Sequence, residues 1–188
     1  MSLLNILNKY KELNDPILGT DKNSTHSYVD IFYENYFLPF KNKKINLCEI
    51  GIQTGGSLFL WQQYFINGNI YGIDINSNRL LDKYSNLDRV TYIFQDAYDI
   101  NILNNLPLFD IIIDDGPHTL ESQIKFIELY NIKLNKNGYI IIEDIKSIDC
   151  ANKIINYSNK FNLNFILYKG NKINKQYDDI LLVGKKEL

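Results

Sequence analysis

Short apolar runs alternate with longer segments of mixed polarity from residue 45 to the end of the chain. Seven of these runs have the length and the composition of strands: residues 46–50, 69–74, 90–94, 109–114, 139–143, 165–168 and 180–184. Helix-length segments separate all but the last two. This alternation predicts an α/β fold with a doubly wound, mostly parallel seven-stranded sheet. The last connection is too short for a crossover helix, so we expect a C-terminal antiparallel hairpin.

The chain before the first strand has a helix, a polar loop and a second helix. Residues 3–13 have helical spacing of apolar positions, and Asp15-Pro16 ends that helix. The loop at residues 19–28 is dense in hydrogen-bonding side chains and leads into an aromatic-rich helix through Tyr33, Tyr36 and Phe37. From these residues alone, the loop is either a surface loop before a capped helix or a lid over a substrate or cofactor.

The length and the net charge of the chain limit the classes of protein to which it can belong. At 188 residues the chain has room for one globular domain, and a net charge of -2 gives no electrostatic signature of nucleic-acid binding or of a membrane anchor. The apolar runs are too short to cross a bilayer, and the first residues do not resemble a signal peptide. We therefore expect a cytoplasmic protein. Cys48 and Cys150 are predicted to be small buried hydrophobes.

A glycine-rich turn follows the first strand. Glu49 lies at the end of the strand, and Gly51, Gly55 and Ser57 lead into the next helix. Glycine permits positive φ and close approach of a ligand, and a helix N terminus supplies unpaired N–H groups. The spacing is not G-x-G-x-x-G, which weakens a nicotinamide or flavin interpretation. The turn favours a ligand without a pyrophosphate, although such turns also occur for structural reasons alone.

Acidic residues end the second and third strands. Asp74 lies about twenty positions beyond the glycine turn, where related folds bind ribose hydroxyls. Its alternative role is to cap the next helix. Asp96 is placed to accept a hydrogen bond from an adenine amino group, or it only forms a turn.

Two later strands each end in a pair of acids, Asp114-Asp115 and Glu143-Asp144. Consecutive strands of this kind are usually neighbours, so we expect these carboxylates along one sheet edge, where they repel unless a cation or protons intervene. Oxygen ligands without cysteine suit Mg²⁺ or Mn²⁺. Asp144 has the alternative role of capping a helix over residues 146–157.

A histidine lies beside these acids. His118 follows Asp115 by three residues, across a Gly-Pro turn. Histidine exchanges protons near neutral pH and can act as a base towards a substrate hydroxyl. The alternative is a surface or capping residue at a helix start. Two acid pairs and a histidine expected at one location favour the functional interpretation.

Together, these motifs resemble class I S-adenosylmethionine-dependent methyltransferases. The resemblance rests on Glu49-x-Gly51-x-x-x-Gly55-Gly56-Ser57, Gly72-Ile73-Asp74, Asp114-Asp115-Gly116-x-His118 and Glu143-Asp144. Within that group the chain is similar to the metal-dependent sugar O-methyltransferases of macrolide biosynthesis, the macrocin and mycinamicin type. Gly19-Thr20-Asp21-Lys22, with His26, Tyr28 and Tyr33, also resembles an N-terminal motif of that family, which favours the lid interpretation.

The resemblance implies a role for each candidate residue. The turn at Gly51 and Gly55 would hold the methionine moiety of S-adenosylmethionine, Asp74 its ribose, and Asp96 would lie near adenine. The other candidate cofactor-binding residues are Glu49, Ser57 and Asp114, the last with no role beyond shaping the sheet edge. Mg²⁺ (or Mn²⁺) would be bound by Asp115, Glu143 and Asp144, and His118 would be the general base.

The implied function is Mg-assisted O-methylation of a hydroxyl on a sugar or glycosylated small molecule. Residues 1–44 would form an N-terminal helical or lid segment, and residues 45–188 the S-adenosylmethionine-binding domain. The expected partner is a small-molecule or glycan acceptor, with a possible homo-oligomer and no nucleic acid or membrane. Pro117 stands where the family commonly has serine. We expect no counterpart in this chain of the large N-terminal auxiliary domain of some relatives.

Three alternatives remain open. A catechol-type methyltransferase would use a similar metal site on a phenol. A non-catalytic module would bind only the cofactor or a glycan. A nicotinamide oxidoreductase is disfavoured by the glycine spacing.

Overall fold

The computed structural model describes residues 1–13, 15–17, 20–22, 26–170 and 180–186. Within these residues the strands are β1 (Asn46–Ile50), β2 (Asn69–Asp74), β3 (Val90–Phe94), β4 (Phe109–Asp114), β5 (Leu134–Ile142), β6 (Leu163–Lys169) and β7 (Ile180–Lys186). The α-helices are α1 (Leu3–Glu12), α2 (Glu34–Phe37), α3 (Gly56–Tyr64), α4 (Leu120–Tyr130) and α5 (Ile148–Ser158). No helix in the part of the chain described has an apolar stretch long enough to cross a membrane.

The strands form one sheet in the order β3-β2-β1-β4-β5-β7-β6. Strands β1 to β5 pair in parallel, whereas β7 runs antiparallel to both β5 and β6. The predicted fold class is therefore confirmed, including the C-terminal antiparallel pair, and the sheet is mixed. β7 lies between β5 and β6. The connection from β6 to β7 includes residues 171–179, which lie outside the described residues.

Two of the predicted crossover helices are wrong. The segments after β2 and β3 contain only 3₁₀ turns, at Ser77–Arg79, Asp82–Tyr84 and Ile100–Asn105. These segments are rich in Asn, Ser and Asp, whose side chains bond to nearby backbone groups in place of the helical pattern. Asn76 and Asp99 do so here, each accepting a hydrogen bond from the backbone N–H two residues later. The aromatic-rich segment is likewise divided into a π-helical turn (Val29–Tyr33), α2 and a 3₁₀ turn (Leu38–Phe40).

The sheet is buried on both faces. Alternate residues of the central strands enter different clusters, with Ile112 and Ile140 on one face and Leu47 and Ile111 on the other. Helices α4 and α5 cover the first face, and α1, α3 and the π-helical turn cover the second. Since both faces are covered, the carboxyl ends of the strands are left as an open edge for polar groups.

Helix α5 begins after Ser147, whose Oγ accepts a hydrogen bond from the backbone N–H of Cys150 at 3.1 Å. The alternative role predicted for Asp144 as the cap of this helix is therefore wrong. Replacement of Ser147 by alanine should lower the free energy of unfolding by about 1 kcal/mol, because that N–H loses its acceptor. Urea denaturation measures the change, and an unchanged midpoint would contradict the capping role.

Candidate active site

A cavity of about 650 Å³ opens at the carboxyl ends of the central strands. The candidate residues that line it are Gly51, Ser57, Asp74, Asp96, Asp115, His118 and Asp144. Thr20 and Asp21 from the N-terminal loop also line it, whereas Gly19 of the same motif lies outside the described residues. The structure therefore brings most of the candidate residues to one cavity. Glu49, Gly55, Asp114 and Glu143 are not among its lining residues.

The glycine turn packs directly against the loop after β4. Gly51 has φ +83°, and a Cβ atom there would lie 1.9 Å from the carbonyl oxygen of Asp115. Only glycine can bring these two backbones together at that distance. Gly55, with φ +89°, precedes the first residue of α3. The turn thus fixes the backbone of Asp115 at the cavity wall. The glycine turn is therefore in direct contact with one of the two acid pairs.

Asp74 and Asp96 both bond to nearby backbone groups. Asp74 Oδ2 accepts from the N–H groups of Ile52 and Gln53, and its Oδ1 accepts from Asn76. Asp96 Oδ1 accepts from the N–H of Tyr98 at 2.9 Å. Asp74 therefore organises the glycine turn and does not cap a helix, whereas Asp96 forms a turn. The Oδ1 atom of each residue accepts only one of these bonds and has a second lone pair, so both residues can still accept a hydrogen bond from a ligand in the cavity.

A buried lysine neutralises the inner side of the acidic cluster. Lys22 Nζ lies 2.9 Å from Asp115 Oδ2, 2.7 Å from Glu143 Oε2 and 3.1 Å from Glu49 Oε1. Its side chain is only 1% exposed. Burial by itself lowers the pKa of Lys22, but the charges of the three carboxylates outweigh burial and raise that pKa well above its usual value. Lys22 is therefore a permanent cation beneath the cavity.

The other oxygens of these carboxylates differ in their partners. Tyr33 donates its hydroxyl hydrogen to Glu143 Oε1, and Trp61 Nε1 donates to Glu49 Oε2 at 2.9 Å. Asp115 Oδ1, in contrast, faces His118, whose Nε2 lies 3.9 Å away. Asp115 thus binds Lys22 through one oxygen and presents the other towards the cavity.

His118 lies between Asp115 and Asp144. Its Nε2 is 3.8 Å from Asp144 Oδ2, and the residue adopts φ +55° immediately before the cap of α4, Thr119. His118 therefore does not itself cap that helix. The donor atoms of Asp115, His118 and Asp144 all lie within 4.8 Å of one another. This spacing and the two carboxylate oxygens fit a divalent ion such as Mg²⁺ or Mn²⁺.

Residues of the N-terminal segment hold the opposite side of Asp144. Tyr28 donates its hydroxyl hydrogen to Asp144 Oδ1 at 2.7 Å, and His26 Nε2 lies 3.5 Å from the same oxygen. The rings of His26 and Tyr28 are stacked. Burial, with the charge of Asp115, raises the pKa of Asp144 to about 6. The described parts of the polar motif, residues 20–22 and 26–28, are therefore part of the site.

Asp114 is buried behind the cavity wall and accepts a hydrogen bond from Tyr98 Oη at 3.0 Å. Burial raises the pKa of this carboxyl to about 7. The folded state therefore holds a proton that the unfolded chain releases at lower pH. This contribution to stability is fully present below the unfolded pKa and is lost as the pH rises through about 7.

Replacement of Asp114 by asparagine should remove this pH dependence, because asparagine has a similar shape and does not ionise. The stability of the variant relative to the unmodified chain should rise by on the order of 2 kcal/mol between about pH 5 and pH 8. Urea denaturation at the two pH values measures the difference. A difference that does not depend on pH would contradict the buried, protonated state of Asp114.

Sequence reasoning missed the role of Lys22 and the contact of Tyr98 with Asp114. A signal for the first was present, since buried carboxylates require a compensating charge and Lys22 lies in the polar motif. Tyr98 gave no signal, because it belongs to none of the motifs and its contact with Asp114 is a tertiary contact.

The fold is that of the Rossmann-like methyltransferases. MycE methyltransferase from the mycinamycin biosynthetic pathway, solved in complex with Mg, SAH and mycinamycin VI, superposes with a TM-score of 0.66 at 21% identity. The match covers 100% of this chain and 55% of that one. No protein-family model matches the chain.

Two curated sequence relatives are O-methyltransferases. The chain is 32% identical over 142 residues to 8-demethyl-8-alpha-L-rhamnosyl tetracenomycin-C 2'-O-methyltransferase of Streptomyces olivaceus, covering 69% of this chain and 36% of the relative. It is 31% identical over 145 residues to demethylmacrocin O-methyltransferase of Streptomyces fradiae, covering 71% and 35%. The predicted resemblance is confirmed, and the chain spans about a third of the length of these curated relatives.

Proposed function

We propose that the chain is an S-adenosylmethionine-dependent, Mg-assisted O-methyltransferase acting on a hydroxyl of a sugar or glycosylated small molecule. The observation that carries this proposal is the position of Asp115, His118 and Asp144 on the same cavity as the glycine turn and Asp74. The relatives, which are O-methyltransferases of glycosylated natural products, support the choice of acceptor. MycE, which was solved with Mg and SAH, supports the choice of cofactor and metal.

S-adenosylmethionine is proposed to bind along the glycine turn. Gly51 and Ser57 line the part of the cavity proposed for the methionine moiety, and Asp74 lines the part proposed for the ribose. Asp96 lies beside Ala97 and Tyr98, which offer apolar surface to the adenine ring. Glu49, Gly55 and Asp114 support this region from behind. In this proposal Glu49, Gly55 and Asp114 position other residues of the cofactor site and do not touch the cofactor themselves.

The proposed metal site uses Asp115 and Asp144, each of which has an oxygen directed towards His118. Mg²⁺ bound there would supply Lewis acidity, which makes a coordinated hydroxyl more acidic. Glu143 was predicted as a third ligand, but both of its oxygens already have partners in Lys22 and Tyr33, so the proposed site does not use it as a direct ligand. Its carboxylate is 1% exposed.

His118 is proposed to be the general base. Its Nε2 is 3.8–3.9 Å from the two carboxylates, too far for hydrogen bonds and close enough to share one acceptor hydroxyl with them. His118 takes the hydroxyl proton while the oxygen attacks the methyl carbon. When bound, S-adenosylmethionine would supply the methyl group, with the C–S bond breaking as the C–O bond forms and the sulfur keeping the bonding electrons as a neutral thioether. The walls of the cavity would hold the acceptor hydroxyl, the methyl group and the sulfur in line.

The N-terminal segment is proposed to form the acceptor side of the site. Thr20 and Asp21 line the cavity, and Tyr28 holds Asp144. The division into residues 1–44 and 45–188 is proposed on this basis. A cytoplasmic location and a homo-oligomer remain predictions.

Product analysis tests the proposed reaction. The chain is incubated with Mg²⁺, S-adenosylmethionine carrying a labelled methyl group, and two acceptor pools, one of glycosides and one of catechols. We expect the label in the glycosides, as an O-methyl ether on the sugar. Labelled catechols alone would favour the catechol-type enzyme. Binding of S-adenosylhomocysteine without any labelled product would favour the non-catalytic module.

A further inference from the structure

We propose that Lys22 is a positioning residue for the metal site, an inference that rests on the proposed function. Its ammonium group binds the inner carboxylates, Glu49 and Glu143, and fixes Asp115 so that Oδ1 faces the cavity as a metal ligand. In this arrangement Glu143 acts on the metal only through Lys22.

Lys22 Nζ donates hydrogen bonds to Asp115 Oδ2 and Glu143 Oε2 and forms an ion pair with Glu49 Oε1. A lysine ammonium has three N–H donors and no acceptor. Three carboxylate oxygens from three different strand ends lie within 3.1 Å of Nζ, and the side chain is almost completely excluded from solvent. Lys22 is therefore held in a single position by the sheet, and in turn it holds Asp115 Oδ2.

The inner carboxylates have little left to offer an ion in the cavity. Glu49 is bonded by Trp61 in addition to Lys22, and Glu143 is bonded by Tyr33. Both are completely buried, and neither lines the cavity. Of the three partners of Lys22, Asp115 alone lines the cavity. Lys22 thus divides the acids into a neutralised inner group and an outer pair, Asp115 and Asp144.

If Lys22 is removed, a purely electrostatic role and a positioning role predict opposite changes in cation affinity. Removing a positive charge beside a cation site strengthens cation binding if charge is all that matters. If Lys22 positions Asp115, its removal frees that carboxylate to rotate, and cation binding weakens. Loss of a residue that orients a metal ligand typically weakens metal affinity by about 10–100-fold.

The test compares Mn²⁺ affinity in two backgrounds by calorimetry. Glu143→Gln is the reference, and Lys22→Met/Glu143→Gln is the test variant, so that the lysine is removed without leaving Glu143 as an unpaired charge. We expect Mn²⁺ to bind about tenfold or more weakly in the test variant than in the reference. The matched control is Lys153→Met in an Asp149→Asn background, since Lys153 and Asp149 form an exposed ion pair on α5. Its Mn²⁺ affinity should not change.

Circular dichroism and the binding of S-adenosylhomocysteine verify that each variant is folded. If Lys22→Met/Glu143→Gln does not fold, Lys22→Gln/Glu143→Gln replaces it, because the amide keeps two donors in the buried site. Equal or tighter Mn²⁺ binding without Lys22 would overturn the inference. So would complete loss of Mn²⁺ binding in Glu143→Gln with binding retained in Asp115→Asn, since Glu143 would then be the ligand. A wild-type chain that binds no Mn²⁺ would overturn the metal site itself and this inference with it.

Discussion

Replacement of His118 by alanine is expected to lower kcat for methyl transfer by about 10²–10⁴. In the proposed mechanism the imidazole accepts the proton of the acceptor hydroxyl, and Asp115 and Asp144 bind the metal. Its side chain is 31% exposed, so its loss should leave the fold and the affinity for S-adenosylhomocysteine unchanged. Steady-state kinetics with a glycoside acceptor measure kcat, and calorimetry measures cofactor affinity.

The control for this prediction is His118→Gln, which keeps a polar side chain of similar size but provides no base. Both variants should lose kcat to a similar extent, because the missing function is proton transfer and not packing. A normal kcat in either variant would exclude His118 as the base. A fall in kcat/KM caused by a raised KM alone would assign the residue to acceptor binding.

Replacement of Gly51 by alanine is expected to cost about 2–5 kcal/mol of the free energy of unfolding. A left-handed backbone is unfavourable for alanine, and the new Cβ atom would lie 1.9 Å from the carbonyl oxygen of Asp115. The backbone must shift to relieve that contact. Because Asp115 is a proposed metal ligand, methyl transfer should fall together with stability.

Gly55→Ala is the matched comparison for this variant. Gly55 has a similar positive φ, but the nearest atom to its added Cβ is the end of the flexible Leu80 side chain, at 2.6 Å. Urea denaturation should therefore show a smaller loss of stability for Gly55→Ala than for Gly51→Ala. Equal losses would indicate that the close approach of Gly51 to Asp115 contributes nothing beyond the cost of the positive φ.

The sheet could be predicted from the sequence because its signals are local. The first four strands have the predicted bounds, since runs such as the one ending at Asp114 begin and end at sharp changes of polarity. β5 begins at Leu134, five residues before the prediction, because Asn135 and Asn137 interrupt its apolar pattern. The segments after β2 and β3 are long enough for an α-helix but contain none. Length alone could not show this, because it does not distinguish an α-helix from successive 3₁₀ turns.

The convergence of the acid pairs could also be predicted, because parallel strands such as β4 and β5 place their carboxyl ends at one edge. The positive charge that balances these acids, on Lys22, could not be predicted. Lys22 lies 93 positions from Asp115 and 121 from Glu143, in a loop without periodicity, and its contacts exist only in the folded chain. The closeness of Gly51 to Asp115 is a tertiary contact of the same kind.

The most direct test of metal-assisted methyl transfer at Asp115 compares the wild-type chain with Asp115→Asn. Both proteins are incubated with Mg²⁺, and the transfer of a labelled methyl group to a glycoside acceptor is measured. We expect transfer by the wild type alone, equal affinity of both proteins for S-adenosylhomocysteine, and loss of wild-type transfer in EDTA. Equal transfer by Asp115→Asn, or full transfer in EDTA, would contradict a metal-assisted reaction at this carboxylate.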